Sequence, residues 1–255
     1  QLHRETIDRE RMKQELELAR EIQLQLLPPS TPSLPGIDIA SLYVISEEVG
    51  GDYYDYVPAP DGSLGLVVAD AIGHGVSAAL LISAVQASFR AETRISASPG
   101  ASLEKVNRQM QERNTSGRFV TIFYGMFDPG RGLLTYANAG HPPPVVVHAD
   151  GSHHDLGESD LILGVDAAVA YREHSFPLET DDVLVLFTDG ITDEPNAHDR
   201  SFGRERLVDI IREHRAGSAA EICDALHGEV IGFLGENPTD DLTLLVLKYR
   251  KDAGS

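Results

Sequence analysis

Four short acidic motifs lie beside apolar runs between residues 50 and 243. They are Gly50-Gly51-Asp52, Val68-Ala69-Asp70 with Gly73-His74-Gly75 after it, Phe187-Thr188-Asp189-Gly190, and Thr239-Asp240-Asp241-Leu242-Thr243. Burying a carboxylate at a strand end costs several kcal/mol unless another group pairs with it. None of the motifs contains an Arg or Lys for that purpose. A divalent cation held by several Asp side chains is the simplest partner, so the pattern predicts a metal-dependent hydrolase.

The candidate ligands all bind through oxygen. Asp70, Asp189 and Asp240 converge on one point if the strands that carry them are neighbours whose ends meet, and Asp52 then adds a fourth carboxylate. Hard cations such as Mg²⁺ and Mn²⁺ prefer carboxylate and carbonyl oxygens, whereas zinc sites use Cys and His. The chain has no Cys/His pattern with zinc spacing. The sequence therefore favours magnesium or manganese.

Short β-rich runs and longer helical patterns must position these acids. Strand patterns cover residues 37–45, 64–69, 119–127, 133–138, 144–148, 183–188 and 242–249, and helical patterns cover 77–92, 102–112, 204–215 and 219–234. Short turns such as Asp128-Pro129-Gly130 indicate antiparallel hairpins. The runs at 66–69 and 183–187 are apolar on both faces, so both faces must be covered. The pattern predicts two sheets packed face to face with helices outside.

The N-terminal segment differs from the rest of the chain. Residues 1–27 read as one helix with apolar positions Met12, Leu16, Ala19 and Leu26, and prolines in residues 28–36 form a hinge. Residues 37–250 then form the main domain. The helix is a linker or dimerisation element, or it packs on its own domain. Because the chain starts inside a helix without Met, we expect a fragment whose upstream sensory domain has been removed.

Composition restricts the partners and the compartment. A formal net charge of −19 argues against binding to nucleic acid or anionic membranes, which require Lys/Arg clusters. No apolar run approaches the roughly 18 residues that a membrane span needs, so we expect no membrane insertion. The single cysteine, Cys223, cannot form a disulfide within the chain. It predicts a reducing compartment, the cytoplasm, and a buried apolar role for this side chain.

The motifs, together with Asn138-Ala139-Gly140-His141-Pro142-Pro143, occur in an order that resembles the metal-dependent (PPM, type 2C) protein serine/threonine phosphatases. The nearest branch is the bacterial one with the sporulation stage II protein E and the general-stress sigma-factor regulators. The resemblance covers about residues 16–249. It implies an α+β fold, a four-layer α/β/β/α sandwich, with two Mn²⁺ or Mg²⁺ ions per site. It also implies a phosphoserine or phosphothreonine protein substrate, commonly a STAS-type anti-sigma-factor antagonist.

The resemblance also implies roles for individual residues. Asp70 would bridge both metals, and the backbone carbonyl of Ala71 would complete one shell. Asp189 and Asp240 would bind one metal and Asp52 the other, directly or through water. Asp241 is the less favoured of the adjacent pair, and Asp193 is a candidate for a third metal. A metal-activated water would attack phosphorus.

Two histidines in the motifs could have structural roles instead of catalytic ones. His74 is a doubtful general acid because it lies four residues after Asp70, whereas the eukaryotic branch places its histidine two after the equivalent Asp. A helix-capping or loop-packing role fits His74 at least as well. His141, which precedes three prolines, is expected to fix a turn.

Two other functions remain open at this point. The chain could be a degenerate phosphatase fold that acts as a partner-binding scaffold, or it could hydrolyse small phosphomonoesters. The intact acidic set disfavours the scaffold, and an open, shallow site would disfavour the small substrate.

Overall fold

A computed structural model describes residues 2–96, 98–113, 117–235 and 238–250. Gln1, the first residue of the predicted N-terminal helix, lies outside this part. The helices are α1 (Leu2–Leu26), α2 (Val76–Thr93), α3 (Pro99–Arg113), α4 (Asp189–Thr192), α5 (Arg204–His214) and α6 (Ala219–Leu234). The strands are β1 (Ile37–Val44), β2 (Asp52–Pro58), β3 (Leu64–Ala71), β4 (Val120–Asp128), β5 (Leu133–Ala139), β6 (Val145–Val147), β7 (His153–Asp155), β8 (His174–Pro177), β9 (Val183–Phe187) and β10 (Leu242–Tyr249).

The strands form two five-stranded sheets in the orders β1-β10-β9-β6-β7 and β2-β3-β4-β5-β8. Every strand pairing in both sheets is antiparallel. The β1–β10 pairing joins the two ends of the main domain, residues 37–44 to residues 242–249. The predicted antiparallel sandwich is therefore confirmed.

Three apolar layers hold the sandwich together. The alternating side chains of β9 and β10 divide between two of them: Val185 and Leu244 pack against α5 and α6, while Leu186 and Leu245 face the other sheet. The third layer lies between the second sheet and helices α2 and α3, around Phe89. Each sheet is thus covered on both faces, as the continuous apolar runs predicted.

The predicted elements differ from the structure mainly at their ends. Strand β10 has the predicted bounds, whereas β3 continues through Asp70 to Ala71, so Asp70 lies inside a strand. Three strands are absent from the predicted runs: β2 contains the charged residue Asp55, β7 is short and exposed, and β8 is short and partly exposed. Single-sequence patterns miss such strands because their pairing comes from neighbouring strands.

Helix α1 has only one buried side chain among its described ones, the polar Gln23. Its amide binds the backbone of Gly50 twice: Nε2 donates to the carbonyl over 2.6 Å, and the Gly50 N–H donates to Oε1 over 2.9 Å. Gln86 of α2 donates to the carbonyl of Leu26, near the end of α1. The apolar side chains of Met12, Leu18 and Ile22 remain more than half exposed. No helix among the described residues is long and apolar enough to cross a membrane.

Candidate metal centre

The four principal acidic residues lie at strand ends. Asp52 opens β2 and stands directly opposite Asp70 of β3, with Cα atoms in register. Asp189 follows β9 and Asp240 precedes β10, and these two strands are neighbours in the other sheet. Hydrogen bonds from Thr188 and Thr243, beside those strand ends, reach Asp52 and join the sheets at this point. The fold thus brings together four acids that are distant in sequence.

Asp52 is held by two threonine hydroxyls. Its Oδ2 accepts hydrogen bonds from Thr188 Oγ1 over 2.7 Å and from Thr243 Oγ1 over 2.5 Å. The Thr243 N–H in turn donates to Thr188 Oγ1. This arrangement orients the Asp52 carboxylate, whose side chain also hydrogen-bonds that of Asp70. Both threonines stand within the acidic motifs, but their role depends on inter-sheet geometry and was missed from the sequence.

Asp241 organises the backbone. Its Oδ1 accepts from the N–H and the hydroxyl of Ser46, and its Oδ2 accepts from the N–H groups of Gly51 and Asp52. With both oxygens engaged, Asp241 is a support for the Asp52 loop and a poor candidate for a ligand. The structure therefore favours Asp240 over Asp241 at this position.

Close packing around the loops requires glycine at position 190 and leaves little room for a side chain at position 51. A Cβ on Gly190 would lie 2.2 Å from the backbone carbonyl oxygen of Asp241. A Cβ on Gly51 would meet Ala78 Cβ at 3.2 Å and the backbone oxygen of Ala71 at 3.5 Å. The predicted carbonyl ligand at Ala71 is thus beside the Asp52 loop, next to Asp70.

The acids raise one another's pKa. Burial raises the pKa of Asp70 to about 8, and the charges of Asp189, Asp240 and Asp241 add to the effect. Burial, followed by the charges of Asp70 and Asp241, holds the pKa of Asp52 well above its ordinary value. The pKa of Asp240 is raised to about 6, mainly by burial, and that of Asp189 is raised by burial and by Asp193. When these acids ionise together they repel one another, so a bound cation would stabilise their ionised forms.

The fit of a divalent cation rests on this donor chemistry. Within the described residues, no group of three or more His, Cys, Asp or Glu side chains already surrounds a single point closely enough to hold a metal. The carboxylates lie on neighbouring strands and repel one another when ionised. A bound cation would attract all of them and so offset this repulsion. An all-oxygen set with shared excess charge fits Mg²⁺ or Mn²⁺.

An open cleft of about 440 Å³ lies beside Asp189 and Asp240. It is lined by Glu47, Gly73, His74, Asp189, Asp193, Glu194, Pro195, Thr239 and Asp240. Asp193 is exposed there, and its N–H donates to the Asp189 carbonyl over 2.7 Å. Sequence reasoning missed Glu194, whose Oε1 accepts from the Thr239 N–H and hydroxyl. Its Oε2 is buried without a partner among the described residues. A Glu directly after Asp193 carries no recognisable signal by itself.

The structural alternatives for His74 are wrong. Its side chain is 87% exposed, so it does not pack in the loop. The N-cap of α2 is Gly75, where the backbone has a φ of 70°. No side-chain hydrogen bond caps the helix at this residue. His74 Nδ1 lies 3.3 Å from Glu47 Oε1 at the mouth of the cleft.

His141 directly follows the bend at Gly140, and it is also buried. It is 2% exposed, and its backbone N–H and carbonyl are both bound by the Asn138 side chain. Burial lowers the pKa of His141 to about 3, so the ring is neutral.

Comparison with known proteins agrees with this fold. The family model described as Stage II sporulation protein E (SpoIIE) matches residues 60–250. Phosphoserine phosphatase RsbU of Bacillus subtilis (strain 168) is 30% identical over 240 residues, which cover 94% of this chain and 71% of RsbU. Phosphoserine phosphatase RsbP of the same strain is 28% identical over 214 residues, covering 82% of this chain and 51% of RsbP.

Solved structures extend the similarity. The SiaA-PP2C domain of Pseudomonas aeruginosa has a TM-score of 0.85 at 25% identity, covering 95% of this chain and 98% of that domain. The PP2C phosphatase domain of SpoIIE from Bacillus subtilis has a TM-score of 0.72 at 17% identity, over 85% of this chain and 64% of that chain, and supports the fold. The predicted α+β sandwich and the predicted family are both confirmed. The chain belongs to the SpoIIE family of PP2C-type phosphoprotein phosphatases.

Proposed function

We propose that this chain is an Mn²⁺- or Mg²⁺-dependent phosphatase that removes phosphate from phosphoserine or phosphothreonine in a regulatory protein. The observation that carries the proposal is the group of four acids at facing strand ends, whose pKa values are raised by burial and by the charges of neighbouring acids. Two of its relatives are named phosphoserine phosphatases, which supports this substrate class. The family resemblance adds a STAS-type regulator of a sigma-factor pathway as the favoured substrate.

The proposed ligands are Asp70 and the Ala71 carbonyl at the centre, Asp189 and Asp240 on one side, and Asp52 on the other. Asp193 is the proposed ligand of a third, weaker ion. Two bound ions would supply a nucleophile from water at neutral pH and offset charge on the phosphoryl oxygens. Thr188 and Thr243 orient Asp52 for this purpose.

The shape of the cleft favours a protein substrate. Its mouth is open, and His74, Asp193 and Thr239 are exposed on it. Nothing in its lining encloses a small molecule on all sides. Glu47 and His74 stand at the rim, where a folded substrate would make contact, and we assign His74 to substrate contact because its side chain is 87% exposed beside Glu47.

We also propose that residues 1–27 connect the phosphatase domain to an upstream sensory domain and allow two copies to associate. The exposed apolar side chains of Met12, Leu18 and Ile22 support a further helix packing there. Light scattering of the chain with and without residues 1–27 would measure that association. A cytoplasmic location, testable by cell fractionation, rests on the lone buried Cys223.

The test of activity uses a serine-phosphorylated STAS-type protein as the probe. With Mn²⁺, the wild-type chain should release phosphate, and Asp189→Asn should lower the rate by at least about 100-fold because a ligand is lost. Asp209→Asn changes an exposed Asp paired with Arg212 on α5, and it should retain full activity. Equal rates for wild type and Asp189→Asn would refute the site.

Two further measurements separate the alternatives. A wild-type chain that gives no heat with millimolar Mn²⁺ in calorimetry, and no phosphate release, would favour the partner-binding scaffold. Faster hydrolysis of p-nitrophenyl phosphate than of the phosphoprotein, compared by kcat/KM, would favour the small-molecule phosphatase.

A further inference from the structure

The segment before β10 carries Asp240, and contacts with other segments hold it in place. Residues 238–241 form neither helix nor strand, so local backbone structure does not fix their position. Among the described residues, Asp240 takes part in one side-chain hydrogen bond, a local one, in which the Asp241 N–H donates to its Oδ1 over 2.9 Å. The residues on either side of Asp240 make the longer-range contacts, and these contacts therefore determine where the Asp240 carboxylate lies.

Both neighbours of Asp240 contact the segment that follows β9. After it, the backbone carbonyl of Asp241 lies so close to Gly190 that a Cβ there would come within 2.2 Å of the oxygen. Before it, Thr239 is bound by Glu194. The Glu194 Oε1 accepts a hydrogen bond from the Thr239 hydroxyl over 2.8 Å and a second one from the Thr239 N–H. Asp240 is therefore anchored on both sides, and Glu194 is one of the two anchors.

Glu194 is a firm anchor because it is shielded from water. The residue is only 8% exposed, and its Oε2 is buried without a hydrogen-bonding partner among the described residues. A buried carboxylate oxygen without a partner is costly, so stability alone does not account for an acid at this position. Hydrogen bonds to an ionised carboxylate are shorter and stronger than bonds between neutral groups. Both such bonds here are donated by Thr239.

The backbone of Glu194 is tied to the other proposed ligand of the same ion. Helix α4 is a single turn that begins at Asp189, and the Asp193 N–H closes it by donating to the Asp189 carbonyl over 2.7 Å. Glu194 follows Asp193 directly. The side chain of Glu194 therefore links the segment that carries Asp189 to the segment that carries Asp240, and its length sets their separation.

We propose that Glu194 is a positioning residue that holds Thr239, and through it Asp240, at the distance from Asp189 that one divalent cation requires. This inference rests on the proposed function, in which Asp189 and Asp240 bind the same ion. Glu194 acts through the reach of its side chain and the acceptor oxygen at its end, and it does not itself coordinate the ion. Removing the outer partner of a metal ligand typically lowers metal affinity about 10- to 100-fold.

The first test measures Mn²⁺ affinity by calorimetry, with thermal unfolding in EDTA to show that each variant is folded. Glu194→Ala removes both bonds to Thr239 and should weaken binding about tenfold. Glu194→Gln keeps the length and an acceptor oxygen, and it should stay within about threefold of wild type because only the charge on the hydrogen bonds is lost. Glu194→Asp keeps the charge but is one methylene shorter, and it should bind as weakly as Glu194→Ala. The control Glu213→Ala changes an exposed acid on α5 and should bind like wild type.

Two results with these variants would overturn the inference. Tighter binding by Glu194→Asp than by Glu194→Gln would show that the site needs the negative charge and not the reach. Wild-type affinity in Glu194→Ala would show that Asp240 is held without Glu194.

A double-mutant cycle tests the route through Thr239. Thr239→Val removes the hydroxyl but keeps the N–H, and it should weaken Mn²⁺ binding by about threefold. The same change in the Glu194→Ala background should have no further effect, because the hydroxyl has already lost its acceptor. Additive losses would show that Glu194 acts on the ion by another route and would reject the proposal.

Activity at saturating Mn²⁺ separates a positioning residue from a ligand. Glu194→Ala retains every proposed ligand, so its phosphate release should return to within a few-fold of wild type once the site is filled. Asp240→Asn lacks a ligand and should stay slow. If both variants stay equally slow at saturating Mn²⁺, Glu194 is not merely a positioning residue and the proposal is wrong.

The last measurement requires no metal. The proton NMR signal of the Thr239 N–H in the metal-free chain reports the hydrogen bond to Glu194. We expect a downfield signal in wild type and in Glu194→Gln that moves upfield in Glu194→Ala, and a signal that Glu194→Ala leaves unchanged would reject the proposal. If the wild type binds no Mn²⁺ at all, the proposed function fails, whereas the Thr239 signal still reports whether Glu194 holds this segment.

Discussion

Replacing Asp70 by Asn should make the metal-free protein more stable at pH 8 while it removes phosphatase activity. The pKa of Asp70 is raised from 3.8 to about 8 in the folded chain. A carboxyl group with a raised pKa binds its proton more tightly when folded than when unfolded. The folded state then loses stability as the pH rises from about 4 to about 8, and the full loss is present above the folded pKa. Asn carries no charge, so the variant does not lose this stability as the pH rises.

The size of the gain follows from the shift. One pKa unit corresponds to 1.36 kcal/mol. A rise from 3.8 to about 8 therefore sets an upper limit of about 5 kcal/mol at pH 8. Asp70 is only partly buried, so solvent screens part of this, and we expect about 2 kcal/mol. For a domain of this length, that gain raises the melting temperature by about 4–8 °C.

The assay is thermal unfolding in EDTA from pH 5 to pH 8, for wild type and Asp70→Asn. The variant should show a flatter pH dependence and should gain little stability from added Mn²⁺. Asp55→Asn is the matched control, because Asp55 is also buried but paired with Arg90 Nε over 2.5 Å and with the Tyr53 hydroxyl over 2.7 Å. It should lose about 3 kcal/mol. If Asp70→Asn is less stable than wild type in EDTA at pH 8, the ionised Asp70 carboxylate does not destabilise the metal-free fold and the reasoning is wrong.

Two further substitutions test the loops around the site. Gly190→Ala should destabilise the chain by about 2 kcal/mol or more in thermal unfolding and weaken Mn²⁺ binding, because the new Cβ would overlap the backbone carbonyl of Asp241. The control Gly232→Ala has open space around it on α6 and should be neutral or slightly stabilising in the same unfolding experiment. Gln23→Ala should weaken Mn²⁺ binding about tenfold by calorimetry, since it removes both hydrogen bonds to the loop before β2 and leaves buried backbone groups unpaired. The control Gln25→Ala changes an exposed side chain and should bind Mn²⁺ like wild type. Equal affinities for the two variants would show that α1 does not support the site.

Much of the fold was predictable from patterns of side chains. The run at 242–249 is apolar except for Thr243 and Lys248 and directly follows two acids, and it became β10 with the predicted ends. Helix α6 also has its predicted ends, because Ser218 and Glu221 form a capping box at its start. Strand β2 was missed because its buried Asp55 looks wrong for a strand until Arg90, far along the chain, pairs with it.

The candidate site was predictable only as a set of residue types. Asp52, Asp70, Asp189 and Asp240 stood out because acids beside apolar runs are costly to bury without a partner. The roles of Asp241 and His74 could not be read in the same way. Asp241 has the same local pattern as Asp240, yet its oxygens accept from Ser46 and Gly51. His74 stands beside a helix start, yet it is exposed at the cleft mouth.

The sequence by itself determined the set of acidic residues, the sheet and helix layers of the fold, and the family. Periodicity, charge placement and motif order, which carry this information, can all be read along the chain. Only the tertiary structure decided which carboxylates are free to act and which hydroxyls restrain them. Thr188 and Thr243 bind Asp52 across the sheets, while Thr121 is paired with His141 beside Asp70. These choices depend on hydrogen-bond directions between segments that are far apart in sequence. Local patterns carry no information about such directions, because they arise when the two sheets pack.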